Sequence, residues 1–189
     1  MKTNMDYTKA EQWIIGEQAF DSRYLGKCES VMCLGNGYMC IRSATEESYL
    51  GETRDFFVAG TFNKFDKDEV TELPNAADII HFPIAVNGQE FSLEKGRIHS
   101  YSRELHLKTG ELVRRVEWEA PAGERLKMEF RRIVSMKELH TMAQKITIVP
   151  SDQTVSLKFL PGIDGSVTNS GVQHFSEGDK RFYDGKFMQ

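Results

Sequence analysis

Two aspartates occupy turn-like segments, where side chains that carry chemistry are often found. Asp78 follows a long loop, and Asp164 lies in the turn after the last clear strand. Two carboxyl groups at a suitable separation can cleave a glycosidic bond, one of them acting as a general acid. Their positions in the sequence do not show that they meet, and carboxylates in turns usually face solvent. Residue types alone therefore assign no catalytic residue.

A second candidate is the turn formed by Gly35, Asn36 and Gly37. A dinucleotide-binding loop needs a third glycine where Cys40 stands, and a nucleotide P-loop needs a Gly-Lys-Ser/Thr sequence that is missing. The spacing therefore favours a tight turn with positive φ over a phosphate loop. Backbone N–H groups exposed in such a turn could line a sugar pocket, so Asn36, Tyr38 and Arg42 are the candidate substrate-binding residues.

The cysteines and histidines lack the spacing of a metal site. Three cysteines follow a C-x4-C-x6-C pattern without a second pair of ligands, which favours small buried residues in a reducing compartment over a metal or redox site. Five histidines lie on different segments and form no HExxH motif. We expect no metal and no cofactor. These residues are Cys28, Cys33, Cys40, His81, His99, His106, His140 and His174.

Composition, net charge and the absence of long apolar runs argue against nucleic-acid and membrane partners. The 189 residues include 40% hydrophobic and 28% charged side chains, as in an ordinary globular protein. With 24 basic and 28 acidic side chains the net charge is −4, which argues against a nucleic-acid partner. No apolar run approaches the roughly 20 residues that cross a bilayer, and the first ten residues contain no signal-peptide core. We therefore expect a cytoplasmic protein with no membrane partner.

The elements that must position these residues are mainly strands. Residues 84–93 alternate around Asn87-Gly88, a pair typical of a type I′ hairpin turn, and residues 102–119 form a second hairpin around Thr109-Gly110. Further strands are predicted at residues 13–15, 38–42, 125–131, 142–149 and 155–160, and another begins near Phe182, Tyr183 and Phe187. Residues 28–34 predict one or two helical turns that end at Gly35, and residues 61–77 a long loop. Short turns between successive strands indicate an antiparallel, all-β architecture.

Two adjacent arginine pairs interrupt this strand pattern. Since side chains alternate between faces along a strand, one arginine of Arg114-Arg115 and one of Arg131-Arg132 must face inward. We expect each inward arginine to pair with a carboxylate, because an unpaired buried charge is very costly.

Four stretches together resemble one known family. They are ESVMCLGNGYMCIR at residues 29–42, FVAGTF at 57–62 followed by ELPN at 72–75, GQEFSL at 88–93 continuing through 100–118, and DGSVTN at 164–169. In this order they are similar to the N-terminal domain of glycoside hydrolase family 65, the maltose, kojibiose and trehalose phosphorylases. The resemblance covers most of positions 11–170.

The resemblance implies a large antiparallel β-sandwich, or supersandwich, with short helical turns. Residues 1–189 would form a single N-terminal domain whose edge at 171–189 is incomplete, and the catalytic (α/α)6 barrel would follow downstream. The chain would then be a truncated piece of a larger enzyme and inactive by itself. The parent enzyme would be a homodimer that cleaves an α-linked glucose disaccharide with inorganic phosphate and inversion, releasing β-glucose 1-phosphate.

Two alternatives stay open at this stage. A free-standing carbohydrate-binding module would stack sugars on exposed aromatic rings. Core and loop packing is the simpler explanation for those rings, which are Tyr38, Phe56, Phe57, Phe62 and Phe65. The other alternative is a family 65 hydrolase, since the groups that separate phosphorolysis from hydrolysis would lie outside this chain.

Overall fold

The computed structural model describes residues 4–64, 67–68, 70–151, 154–169 and 180–182. Strands predominate in this part of the chain, which confirms the all-β prediction. Its one α-helix, α1, spans Leu25–Val31, and 3-10 turns occupy Ala10–Gln12 and Ser22–Tyr24. The strands are β1 (Met5–Asp6), β2 (Ile14–Glu17), β3 (Leu34–Gly35), β4 (Met39–Ile41), β5 (Phe56–Val58), β6 (Ile84–Val86), β7 (Gln89–Glu90), β8 (Arg97–His106), β9 (Glu111–Glu119), β10 (Arg125–Val134), β11 (Met142–Pro150), β12 (Leu157–Phe159), β13 (Gly162–Asp164) and β14 (Lys180–Phe182).

The main sheet has six antiparallel strands in the spatial order β1-β2-β8-β9-β10-β11. Strands β8 to β11 follow one another as a meander, because each connection is a short turn. The predicted hairpin around Thr109-Gly110 is confirmed, and Gly110 adopts the positive φ of 66° that this turn requires. Along β9 and β10 buried and more exposed residues alternate, so one face of the sheet is directed to the interior.

A smaller sheet packs on part of that face, which gives the structure the two layers of a sandwich. It consists of β12, β6 and β7, and the β6–β7 hairpin turns at Asn87 and Gly88 with φ values of 48° and 83°. Ile84 of β6 and Phe91, just after β7, join Trp118 and Phe130 of the main sheet in the first apolar cluster. The Phe91 and Trp118 rings meet edge to face with centroids 5.1 Å apart. The predicted sandwich is thus present.

A second apolar cluster fills the other part of the interior. Here Leu105 and Leu112 of the main sheet pack against Met32, after α1, and Ile41 on β4. Strands β3, β4 and β5 form a separate three-stranded sheet beside this cluster.

The helical turns begin and end earlier than the sequence pattern predicts. The helix covers Leu25–Val31 and is capped at Met32, whereas residues 28–34 were expected to be helical up to Gly35. Gly35 instead lies in β3 opposite Cys40, and Leu34 pairs with Ile41. Leu34 is buried at the apolar interior, so pairing with β4 replaces the last predicted helical turn.

The remaining strand predictions are confirmed with small shifts in their ends. The opening strand is β2, one residue later than expected because Trp13 is left-handed with φ of 62°. Of the last predicted strand, Phe182 falls in β14, and Tyr183 and Phe187 lie outside the described residues. In the part of the chain that the structure describes, no helix is long and apolar enough to cross a membrane.

Candidate functional site

The Asn36 side chain builds the turn between β3 and β4. Its Oδ1 accepts hydrogen bonds from the backbone N–H groups of Tyr38, at 3.0 Å, and Met39, at 2.9 Å. Gly37, at the tip, adopts φ of 85°, which confirms the tight-turn interpretation. The two N–H groups are therefore used inside the turn.

The same side chain fixes this turn to the connection between β10 and β11. Its Nδ2 donates to the carbonyl oxygens of Ser135, at 2.7 Å, and Leu139, at 2.9 Å. The ring of Tyr38 packs on that of His140 with centroids 4.2 Å apart. With two bonds accepted and two donated, the Asn36 amide has used its usual hydrogen-bonding capacity. Asn36 thus positions the turn, and contact of the turn with a sugar stays a prediction.

Arg42 lies at the other end of β4 and holds a different part of the structure. Its Nη2 donates to the carbonyl oxygen of Gly26, at 2.7 Å, and its Nε to Oε2 of the fully buried Glu29, at 3.3 Å. The structure therefore brings Asn36 and Tyr38 together at the tip of the hairpin and places Arg42 at its base, against α1.

The two aspartates singled out in the sequence are direct neighbours. Asp78 N–H donates to the Asp164 carbonyl oxygen at 2.8 Å, and Asp164 N–H donates back at 3.0 Å. In this kind of antiparallel pair both side chains extend to the same side. This juxtaposition was not predictable from two positions 86 residues apart.

Each of these carboxylates has a local partner. Oδ1 of Asp78 accepts from the backbone N–H groups of Ile80, at 2.8 Å, and His81, while Arg54 approaches Oδ2 at 3.2 Å. Asp164 accepts from the hydroxyl group of Ser166 at 2.6 Å. These bonds are typical of turn-forming aspartates. Asp78 is buried, so the expectation that a carboxylate in a turn faces solvent is wrong for this residue.

A row of three arginines crosses the inner face of the main sheet. Arg103 on β8, Arg114 on β9 and Arg132 on β10 are each at most 2% exposed. Along these strands the arginine row separates the first apolar cluster from the second. The expectation that one arginine of each adjacent pair faces inward is confirmed: these are Arg114 and Arg132, and their chain neighbours Arg115 and Arg131 lie on the outer face.

The partners of this arginine row come from residues 43–47, which follow β4. Glu46 accepts from both Arg114 and Arg132 at 2.7 Å. Glu47 accepts from Arg114 through both carboxylate oxygens, one of them at 2.6 Å. Arg103 pairs instead with Glu17 of β2 at 3.0 Å. The prediction that the inward arginines pair with carboxylates is confirmed, but the sequence did not indicate which carboxylates these are.

Within this network, the pKa shifts of Glu46 and Arg114 both favour the charged forms. Burial works to raise the pKa of Glu46, but Arg132 and Arg114 outweigh burial, so this pKa lies below its ordinary value. Burial works against the charged form of Arg114, yet Glu47 and Glu46 raise its pKa well above the usual range. The Arg114 guanidinium also lies over the Phe130 ring, 4.1 Å from its centroid. Three carboxylates thus balance three guanidinium groups inside the sandwich.

Two of the three cysteines contradict the prediction of buried, inert residues. Cys28 is fully buried as expected, whereas Cys33 and Cys40 are exposed, and all three are free thiols. Cys40 lies in β4 between the buried Met39 and Ile41, so strand geometry directs its side chain outward, and Cys33 lies just before β3 between the buried Met32 and Leu34. The alternation of Met, Cys and Leu at residues 32–34 was the signal that could have revealed this.

The aromatic candidates for sugar stacking are spread over different environments. Phe56 packs against the second apolar cluster, and Phe57 is half-buried. Phe62 is 68% exposed, and Phe65 lies outside the described residues. The structure therefore supports core packing for Phe56 and leaves Phe62 as an exposed ring.

The histidines with described positions have different contacts. His99 contacts Glu119 at 2.7 Å, His81 contacts Ser48 at 3.1 Å, and His174 lies outside the described residues. Among residues with described positions, no three histidine, cysteine or acidic side chains form a group suited to a metal ion.

Comparison with known proteins identifies relatives along nearly the whole chain. Residues 15–187 match the family description "Glycosyl hydrolase family 65, N-terminal domain". The chain is 48% identical over 184 residues to kojibiose phosphorylase of Halothermothrix orenii, covering 97% of this chain and 24% of that protein. It is 37% identical over 175 residues to kojibiose phosphorylase of Escherichia coli, covering 93% and 23%.

Two further similarities agree with these. Alpha,alpha-trehalose phosphorylase of Thermoanaerobacter brockii is 33% identical over 184 residues, covering 89% of this chain and 24% of that protein. A solved structure of a candidate kojibiose phosphorylase from the human microbiome superposes with a TM-score of 0.82 at 19% identity, covering 92% of this chain and 24% of the other. The chain thus spans about a quarter of the length of the proteins it matches.

Proposed function

The chain belongs to glycosyl hydrolase family 65, and we propose that it serves as the non-catalytic N-terminal domain of an α-glucoside phosphorylase. The observation that carries this proposal is the match of residues 15–187 to the family 65 N-terminal domain, together with the similarity to relatives named kojibiose or trehalose phosphorylase. Because the chain spans only about a quarter of those relatives, the activity is proposed for the complete protein.

The proposed reaction is phosphorolysis of an α-linked glucose disaccharide. A carboxylic acid in the downstream (α/α)6 barrel would protonate the glycosidic oxygen while inorganic phosphate attacks the anomeric carbon from the opposite face. Phosphate would thereby replace the water of an inverting hydrolase. The products would be β-glucose 1-phosphate and a shorter sugar.

The buried carboxylates described above favour a supporting role for this domain. A general acid must be protonated near its working pH. Glu46 instead accepts hydrogen bonds from Arg114 and Arg132, and despite its burial these two arginines hold its pKa below the ordinary value. We propose that the hairpin tip with Asn36 and Tyr38 helps to wall the sugar cleft.

The proposal can be tested by exchanging domains with a relative. We would join this chain to the remaining three quarters of the H. orenii kojibiose phosphorylase, in place of that enzyme's own N-terminal region. We expect phosphate-dependent release of glucose 1-phosphate from kojibiose by the chimera, and none by the 189-residue chain alone. As a control, the relative without its N-terminal region should be inactive. Activity of the chimera then depends on the joined chain and not on the barrel alone.

The outcomes separate the competing functions. Phosphorolysis by the chain alone would contradict the non-catalytic assignment. Release of free glucose without phosphate by the complete parent protein would instead support the hydrolase alternative. Oligosaccharides titrated against the tryptophan fluorescence of the chain test the binding-module alternative, which requires a saturable change. We also propose that the complete protein is a homodimer, which light scattering would check.

A further inference from the structure

Cys33 and Cys40 lie together on the outward face of the β3–β4 hairpin. Gly35 is directly opposite Cys40 in the antiparallel register. Cys33 precedes Gly35 by two residues, and both are exposed, whereas Leu34 between them is buried. Extending the β3–β4 register by one residue beyond Leu34 makes Cys33, just before β3, the diagonal neighbour of Cys40.

The space between the two thiols is free of a side chain. A Cβ atom placed on Gly35 would lie 3.7 Å from Cβ of Cys40, so glycine leaves open the place that another residue would fill. Diagonal neighbours in an antiparallel pair are about 7–8 Å apart, with their Cβ atoms somewhat closer, which is near the upper end of the separation that a disulfide spans. Although Cys40 is exposed, surrounding protein atoms partly desolvate its thiol and raise its pKa, and the neighbouring Cys33 thiol raises this pKa further. The two sulfur atoms are thus close enough to interact.

The third cysteine is separated from this pair. Cys28 is fully buried, and its Sγ lies 3.8 Å from Sδ of Met5. Burial raises the pKa of Cys28 to about 11. Because the thiolate is the reactive form, Cys28 is poorly suited to compete with the exposed pair.

We propose that Cys33 and Cys40 are a redox modification site that closes to an intramolecular disulfide under a peroxide oxidant. The Cys33 thiolate attacks one oxygen of hydrogen peroxide, the O–O bond breaks, and the departing hydroxide takes up a proton to become water. Cys40 sulfur then attacks the resulting sulfenic acid; the S–O bond breaks, and hydroxide leaves with the Cys40 proton as a second water. Two thiols are oxidised by two electrons, and one peroxide is reduced to two waters.

The disulfide would act on the candidate turn. Residues 33 and 40 flank the segment that contains Asn36 and Tyr38. A covalent link across this segment limits the motion of the hairpin tip, in addition to the hydrogen bonds of Asn36 to Ser135 and Leu139. The position of the tip becomes dependent on the redox state, whether or not the proposed phosphorylase role is correct.

Mass spectrometry of the peroxide-treated chain tests this inference directly. We expect the intact mass to fall by two hydrogen atoms and the thiols titrated after unfolding to fall from three to one, both reversed by dithiothreitol. Cleavage after Lys27 and Arg42 releases all three cysteines in one peptide. Fragmentation of that peptide should yield no backbone breaks between residues 33 and 40 until it is reduced.

Serine variants provide the matched controls. Cys33→Ser and Cys40→Ser should each abolish the mass loss, and both replace exposed side chains, so both should fold. Cys28→Ala should keep the mass loss; if that variant unfolds, the fragment map of the parent chain still identifies the linked pair. Any of three results would overturn the proposal. They are three thiols remaining after peroxide treatment, separate oxidation of each cysteine to sulfinic acid, and a disulfide that persists in Cys33→Ser.

Discussion

Replacing Arg114 with methionine tests whether the arginine row holds the sandwich together. Arg114→Met keeps an unbranched side chain beside Phe130 and removes the charge. Glu47 then loses its guanidinium partner and keeps the hydroxyl group of Tyr49, at 2.8 Å. Glu46 keeps Arg132, at 2.7 Å. The substitution therefore leaves Glu47 as a buried carboxylate without a counter-charge.

The expected loss of stability is large and differs from that of the neighbouring arginine. Removing one partner of a buried ion pair costs about 3–5 kcal/mol in the free energy of unfolding. For a chain of this size this corresponds to a fall in Tm of roughly 6–20 °C. The Arg115 side chain is 46% exposed, against 3% for Arg114, and pairs with Glu129 on the surface. Arg115→Met should cost about 0–1 kcal/mol.

Urea unfolding followed by tryptophan fluorescence would measure both variants. Trp118 is fully buried, so its emission reports on the sandwich interior. A third variant, Arg114→Met combined with Glu47→Gln, should recover part of the loss because it removes the unpaired charge. Equal destabilisation by Arg114→Met and Arg115→Met would refute the reasoning, as would the absence of any recovery in the double variant.

Three further substitutions test the turn, the buried charges and the sheet. Asn36→Ala removes both accepted and both donated bonds and should cost about 1–3 kcal/mol in urea unfolding. Burial raises the pKa of Glu52 despite Arg54, so this carboxyl favours the folded state in acid and loses that contribution as pH rises through its folded pKa. Glu52→Gln should accordingly melt above the parent chain at pH 7, with the difference shrinking at pH 4; a constant difference would contradict this. In urea unfolding, Gly88→Ala should lower the free energy of unfolding by roughly 1–2 kcal/mol, because this glycine has a positive φ. Gly96→Ala should lower it by more, because Gly96 also has a positive φ and a Cβ there would overlap the backbone.

The strand pattern was predictable because it is a local property. Alternation of Leu126, Met128 and Phe130 determines which face of β10 is buried, and Asn87-Gly88 determines where the β6–β7 hairpin turns. The end of α1 was predicted wrongly because its helical pattern competes with pairing to β4, a contact between segments. Local periodicity does not include the gain from burying Leu34 opposite Ile41.

The candidate site shows the same division between local and long-range information. The tight turn at Gly37 followed from its residues, but the fixation of Asn36 to Ser135 joins positions 99 residues apart. The inward orientation of Arg114 also followed from strand alternation. Its partners Glu46 and Glu47 did not, because 67 residues separate Glu47 from Arg114. Charge complementarity predicts that a partner exists and does not identify it.

The arginine row and the candidate turn are parts of one arrangement. Residues 43–47 follow β4 and cover the arginine row, so the base of the hairpin is held by Arg132 of β10, whose Nη1 donates to the carbonyl oxygen of Ala44 at 3.0 Å. The tip is held by Asn36, which bonds to Ser135 just after β10 ends. A shift of the hairpin along the sheet would leave buried guanidinium groups unpaired, at a cost of about 3–5 kcal/mol for each broken pair. The charges therefore restrict where the hairpin can lie, and through it they fix the position of Tyr38 relative to the sandwich.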